Sequence, residues 1–141
     1  MNRVYWDSML FVYMLEGNPA FEGQIRRLGE QLSARGDRLC TSLFTVGEVL
    51  TGPYKKRLAK AADQINQYFR SGAVELLPYT LDTSERYAQF RAAFSVKQAD
   101  AIHLATASVA GVDLFVTNDQ QLLKLHVPGV RFMMGLDGRI W

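Results

Sequence analysis

The sequence predicts an α/β fold in which a mainly parallel β-sheet lies between helices. Short apolar runs rich in strand-forming residues alternate along the chain with longer segments of helical periodicity. The run Leu114-Phe115-Val116 lacks the polar–apolar alternation of a half-exposed strand, which indicates a strand buried on both faces. Since parallel strands are joined through helical crossovers, this alternation of elements favours a parallel sheet.

In the N-terminal half, helix-breaking residues and apolar spacing predict the elements. Pro19 suits the start of a helix and Gly36 its end. One face of this helix carries apolar residues at i, i+4, i+7 and i+11, namely Phe21, Ile25, Leu28 and Leu32. The other elements predicted here are a strand at 4–6, a short helix at 9–15, a strand at 38–41 and a helix at 42–50 closed by Gly52-Pro53.

The C-terminal half is predicted in the same way. Asp82 with Glu85 resembles a capping box, so we expect a helix to begin there. A helix at 98–110 should end at Gly111. The remaining predicted elements are a helix at 58–69 ended by Gly72, strands at 74–77, 114–116 and 130–133, and a short helix after Asp119.

Length and composition favour one domain covering residues 1–141. The chain is 48% apolar, enough to bury a core without a structural metal or disulfides. Its single cysteine, Cys40, lies in an apolar stretch and suits a small buried residue in a reducing compartment. We find no signal-peptide pattern and no run near the roughly 20 apolar residues of a membrane span, so we expect a cytoplasmic protein.

Four acidic residues stand near the place where a parallel sheet binds its ligands. Asp7 directly follows the first strand and Asp119 closely follows the fourth, so both should reach the crevice beyond the carboxyl ends of the strands. Glu48 and Asp100 lie in helices with apolar surroundings. Each also has a structural explanation: Asp7 and Asp119 suit helix caps, Asp100 suits a helix N-terminus and Glu48 a solvated face.

Together the four acids predict a divalent metal site. Carboxylates are costly to bury and repel one another when gathered, and a cation removes that repulsion. Oxygen ligands suit Mg²⁺ or Mn²⁺, and such an ion can activate water to hydrolyse a phosphodiester. We expect Asp7, Asp100 and Asp119 to be metal ligands, directly or through water. Glu48 would be a ligand or would orient the attacking water, and Thr117 would hydrogen-bond a carboxylate or a metal water.

These segments resemble the PIN domain family. The resemblance is carried by Asp7-Ser8, Val46-Gly47-Glu48-Val49, residues 100–107 (Asp-Ala-Ile-His-Leu-Ala-Thr-Ala) and Val116-Thr117-Asn118-Asp119, and order and spacing agree from Arg3 to about Phe132. It implies a three-layer α/β/α sandwich and a metal-dependent endoribonuclease whose acidic site is Asp7, Glu48, Asp100 and Asp119, with Thr117. The compact length is similar to VapC-type toxins, which implies a homodimer and a small antitoxin partner. Met9 departs from the family, since many members carry a small polar residue there.

Basic residues outside the acidic segments are candidate contacts for RNA phosphates. The cluster Lys55, Lys56, Arg57 and Lys60 follows the predicted Glu48 helix and could flank the crevice, although a solvated helix face explains it almost as well. Arg26, Arg27 and Arg38 are second candidates. His103, one turn after Asp100, fits a packed histidine bonded to backbone or a carboxylate better than a metal ligand or general base.

Other functions stay open at this point. A free-standing PIN-domain RNA-processing nuclease would use the same chemistry as a toxin, and an antitoxin-like reading frame beside the gene would favour the toxin. A non-catalytic PIN-like protein-interaction module would leave the four acids unexplained. Two other enzyme and signalling classes fit less well. A phosphotransferase of the haloacid-dehalogenase type needs a second Asp where Met9 stands, and a receiver-type module needs an acidic pair near the first strand and a Lys after the last, neither of which is evident.

Overall fold

A five-stranded parallel sheet lies at the centre of the computed structural model, which describes residues 2–138. Its strands are β1 Arg3–Trp6, β2 Arg38–Ser42, β3 Glu75–Leu77, β4 Leu114–Val116 and β5 Phe132–Met134. The helices are α1 Ser8–Glu16, α2 Glu22–Arg35, α3 Leu43–Lys55, α4 Ala59–Arg70, α5 Leu81–Ala93 and α6 Gln98–Ala110, and a 3₁₀ turn spans Leu122–Lys124.

The strand order places a ligand crevice beside β1. The order is β3-β2-β1-β4-β5, and every neighbouring pair is parallel. The chain therefore leaves β1 toward β2 and β3 on one side and later fills β4 and β5 on the other. In such a sheet the crevice lies at the carboxyl ends of the strands where the winding direction reverses, which here is the boundary between β1 and β4.

Alternating side chains of β1 divide the core into two parts and so produce three layers. Val4 and Trp6 pack in one apolar cluster with α1, α2, α3 and α4, whereas Tyr5 packs in another with α5 and α6. Tyr5 stacks on Phe115 of β4, with ring centroids 4.9 Å apart. This arrangement confirms the predicted α/β/α sandwich.

Several predicted boundaries differ from the structure: α2 begins at Glu22 rather than at Pro19, and β5 spans Phe132–Met134 rather than 130–133. Helix α3 does not close at Gly52-Pro53 but continues through Pro53 to Lys55. Pro53 stands in the last turns, where its missing N–H removes one helical hydrogen bond, and its buried ring packs beside Val49 along an apolar groove. The cap of α5 is Thr80 rather than Asp82: the Thr80 side chain accepts from the Thr83 amide, and the Thr83 side chain accepts from the Thr80 amide.

Two further sequence predictions can be compared with this fold. Cys40 is fully buried, and burial raises the pKa of its thiol to about 12, so it behaves as a core residue rather than a nucleophile. Within residues 2–138, no helix combines the length and the apolar character needed to cross a bilayer.

Candidate active site

Asp7 is held at the carboxyl edge of the sheet by the pairing of β1 with β4. The register sets Trp6 opposite Val116, so the residues that follow, Asp7 and Thr117, also lie side by side. The Asp7 amide donates to the Val116 carbonyl at 3.2 Å. The Asp7 Oδ2 accepts a hydrogen bond from the Thr117 hydroxyl, and its Oδ1 accepts from the Met9 amide at 3.2 Å. Asp7 therefore caps α1 and also faces the crevice.

Asp119 is positioned by the turn that follows β4. Its amide donates to Thr117 Oγ1 at 3.1 Å, and its Oδ1 accepts from the Gln121 amide at 2.9 Å. The side chain thus makes the turn-capping bond that its sequence position predicts. Each carboxylate oxygen has two lone pairs, so this bond leaves further acceptor capacity.

Glu48 and Asp100 approach the same place from opposite sides of the sheet. Glu48 lies in α3, which packs in the layer of α1 and α4, and Asp100 lies in the first turn of α6 in the other layer. Both line a cavity of about 220 Å³ together with Asp7 and Asp119; its other lining residues are Ser8, Met9, Tyr13, His103 and Asn118. The structure therefore brings all four predicted acids to one cavity.

The electrostatics of this cavity disfavour a full set of negative charges. Burial raises the pKa of the Asp7 carboxyl group above its usual value, although the hydrogen bond from Thr117 acts in the opposite direction. Burial also raises the pKa of Asp100, and the negative charge of Asp119 raises it further. Within residues 2–138, no Lys or Arg forms an ion pair with any of the four acids.

The donor set fits a hard divalent cation. Among the described residues, no group of three His, Cys, Asp or Glu side chains is arranged as the direct ligands of one ion. Mg²⁺, however, commonly binds proteins through one or two carboxylates and keeps several waters, so the spread of these acids around the cavity suits it. The burial of the Asp7 carboxyl group without an ion-pair partner among residues 2–138 is the observation that a cation would explain, because a buried carboxylate charge is costly.

His103 contributes more to the site than its sequence position indicates. It is 3% exposed, and both ring nitrogens have partners. Nε2 lies 2.6 Å from Oε1 of Glu48, and Nδ1 lies 2.6 Å from the hydroxyl of Tyr5. A neighbouring carboxylate is one of the two hydrogen-bond partners that the sequence predicts for a packed His103. The contact with Tyr5 is not predicted, because nothing in the sequence relates two residues so far apart.

The basic cluster predicted to contact RNA lies elsewhere. Lys55, Lys56, Arg57 and Lys60 are exposed around the α3–α4 connection and do not line the acidic cavity. Lys97, which the sequence analysis missed, lines a neighbouring cavity of about 310 Å³ that shares Asp100 and Asp119 with the first. Its position immediately before α6, three residues ahead of Asp100, was the available signal.

We predict that Asp7→Asn raises the melting temperature of the metal-free protein by a few degrees at pH 7–8. The folded-state pKa of Asp7 is raised, so stability is greatest while the carboxyl group is protonated and falls as pH rises through the folded pKa. Asn removes the charge and keeps the helix cap, and the difference should shrink as pH falls toward about 4.

Thermal unfolding followed by circular dichroism in excess chelator measures this difference. Asp63→Asn, an exposed change on α4, is the matched control and should have little effect. A lower melting temperature for Asp7→Asn than for the wild type at pH 7–8 would contradict the electrostatic account.

Comparisons with solved structures agree with this architecture. The chain is similar to VapBC2 from Rickettsia felis bound to a DNA fragment from its promoter, with a TM-score of 0.75, 15% identity and coverage of 94% of this chain and 98% of that chain. It is also similar to DNA-bound VapBC from Salmonella typhimurium, with a TM-score of 0.70, 19% identity and coverage of 96% and 99%. A third structure is Mycobacterium tuberculosis VapC20, described as a sarcin-ricin loop cleaving toxin, with a TM-score of 0.64, 19% identity and coverage of 79% and 86%.

Sequence comparison supplies the family. A search of curated proteins finds no match for the chain. The structural relatives above are less than 25% identical to it, so their likeness shows the fold alone. The PIN domain model, in contrast, matches residues 4–127, which is most of the sequence and includes every acid of the cavity. The chain therefore belongs to the PIN domain family.

Proposed function

We propose that this chain is a Mg²⁺- or Mn²⁺-dependent endoribonuclease that acts as the toxin of a VapBC-like toxin–antitoxin pair. The observation that carries the proposal is the convergence of Asp7, Glu48, Asp100 and Asp119 on one cavity at the carboxyl edge of the sheet. Membership of the PIN domain family supports nuclease chemistry. We take residues 1–141 as one nuclease domain acting in the cytoplasm.

The residues of the cavity would have different roles in RNA hydrolysis. A divalent cation, when bound, would polarise the scissile phosphate, lower the pKa of a water and stabilise charge on the leaving oxygen. Asp7, Asp100 and Asp119 would hold it, and Thr117 would keep Asp7 oriented through its hydroxyl bond to Oδ2. Glu48 would be a further ligand of the ion, directly or through the attacking water that it orients. The water oxygen would bond to phosphorus while the bond from phosphorus to O3′ breaks, and the proton lost by the water would balance the proton taken up by O3′, which leaves 5′-phosphate and 3′-hydroxyl ends.

Lys97 supports a path for the substrate backbone. The cavity that it lines shares Asp100 and Asp119 with the acidic cavity, so a strand whose phosphate lies at the acids would extend past Lys97. Val96 and Leu125 add apolar lining to this cavity, which suits a nucleotide base. The basic cluster of Lys55, Lys56, Arg57 and Lys60 is the alternative path.

We predict that Asp100→Asn lowers the cleavage rate of a single-stranded RNA at least about a hundredfold while the protein stays folded. The expected loss exceeds that of a supporting partner of a metal ligand, which costs about 10–100-fold. Gel analysis of labelled RNA with Mg²⁺, with Mn²⁺ and in excess chelator measures the effect. Asp63→Asn is the control variant and should cleave normally.

Two results would contradict this prediction. Equal cleavage by the wild type in excess chelator would remove the metal from the mechanism. Wild-type turnover by Asp100→Asn would remove Asp100 from the site.

We predict that Lys97→Ala raises KM for RNA and lowers the slope of log KM against log salt concentration by about 0.7, the value for one phosphate contact on a single strand. Arg70→Ala, an exposed change at the end of α4, is the matched control. If Lys60→Ala produces this loss and Lys97→Ala does not, the RNA path runs along the α3–α4 connection instead.

The toxin role has a test separate from nuclease activity. Similarity to the VapBC structures and to a toxin–antitoxin complex from Klebsiella pneumoniae supports a small antitoxin partner, and the VapC-type resemblance supports a homodimer. We predict that the protein co-purifies with the product of the neighbouring gene and that this product suppresses RNA cleavage. An active nuclease that neither binds its neighbour's product nor arrests growth when expressed alone would instead be a free-standing RNA-processing enzyme.

A further inference from the structure

His103 connects the acidic cavity to the interior of the protein through two short hydrogen bonds. Its Nε2 lies 2.6 Å from Glu48 Oε1, and its Nδ1 lies 2.6 Å from the Tyr5 hydroxyl. The ring is fixed between the edge of Tyr5, at a centroid distance of 5.9 Å, and the ring of Phe44, at 5.6 Å. The imidazole is therefore held by packing as well as by hydrogen bonds.

The donors and acceptors of this chain can be ordered from the chemistry of the groups. A tyrosine hydroxyl keeps its proton near neutral pH, so Tyr5 can donate to Nδ1 of His103. A neutral imidazole that accepts at Nδ1 carries its proton on Nε2, and that N–H can donate to the Glu48 carboxylate. Tyr5 thereby selects the tautomer that Glu48 requires.

Glu48 needs such support because its own helix does not fix its carboxylate. The Glu48 side chain is 27% exposed and has several rotatable bonds, so holding it in one rotamer costs conformational entropy. His103 occupies only Oε1 among the hydrogen bonds of the described residues, and Glu48 still lines the cavity. The contact therefore restrains the carboxylate and leaves Oε2 for a metal or a water.

We propose that His103 is a positioning residue that, with its tautomer set by Tyr5, holds the Glu48 carboxylate in the orientation that the acidic cavity requires. This inference rests on the proposed function, because it assigns a role to Glu48 at the metal. Helix α6 then contributes to the cavity in two ways. Asp100 lines the cavity directly, and His103 orients Glu48, which lines it from α3. The partner of a ligating group commonly fixes its orientation in this way.

A double-mutant cycle tests the positioning role. His103→Leu fills the space without hydrogen bonds and should weaken Mn²⁺ binding, measured calorimetrically without RNA, by about 10–100-fold. His103→Gln offers an amide donor to Glu48 and should restore much of that affinity. On a Glu48→Gln background, His103→Leu should cause little further loss, since the carboxylate that it positions is absent.

Tyr5→Phe isolates the second hydrogen bond. It removes one hydroxyl and keeps the buried ring, and Tyr68→Phe in the other core is the matched control. At a pH where the imidazole of the metal-free wild type is neutral, ¹⁵N NMR should show Nε2 protonated and Nδ1 unprotonated. Tyr5→Phe should add the opposite tautomer to this population, while Tyr68→Phe should not.

Several outcomes would overturn the inference. Additive losses from His103→Leu and Glu48→Gln would indicate a structural role alone, as would unchanged Mn²⁺ affinity in a folded His103→Leu variant. If His103→Leu does not fold, two other results overturn the inference. One is a wild-type imidazole with its proton on Nδ1, and the other is a Mn²⁺ affinity of His103→Gln as low as that of Glu48→Gln. Failure of the wild type to bind Mn²⁺ or cleave RNA would instead reject the proposed function, whatever the tautomer.

Discussion

The cost of burying carboxylates at the edge of the sheet is the constraint on which the rest of this structure depends. Asp7 is 9% exposed, and burial raises the pKa of its carboxyl group. Burial also raises the pKa of Asp100, and the negative charge of Asp119 raises it further. The acids that bear this free-energy cost lie at the carboxyl ends of the strands, where parallel α/β sheets bind ligands. A divalent cation would turn the unfavourable gathering into a favourable one, which is why the metal is central to the proposed nuclease.

The cavity is assembled from all three layers of the fold. The register of β1 with β4 sets Asp7 beside Thr117, and the turn after β4 supplies Asp119. Helix α6 from one outer layer supplies Asp100, and helix α3 from the other supplies Glu48. The contacts of His103 with Glu48 and Tyr5 join both outer layers to the central strand, so the site is held by the same contacts that pack the layers together.

Residues that follow strands or obey helical periodicity could be predicted from the sequence, whereas long-range side-chain contacts could not. The short apolar strand before Asp7 predicts its position at the edge of the sheet, and the sequence correctly predicts that α6 begins at Gln98 and ends before Gly111. The PIN domain fold followed from the order of these motifs and is confirmed. The sequence predicts the end of α3 too early, because Pro53 is tolerated near a helix end and its burial favours it there. The contact of Tyr5 with His103 spans 98 positions and depends on sheet register, which no local pattern encodes.

The most direct measurement of the central claim is the anomalous difference density of Mn²⁺ in crystals of this protein grown with the ion. The account predicts a peak in the cavity, within coordination distance of Asp7 and of at least one other acid among Glu48, Asp100 and Asp119, directly or through an ordered water. Well-ordered crystals with no Mn²⁺ peak in this cavity at saturating ion, or with Asp7 bonded to protein groups alone, would contradict it.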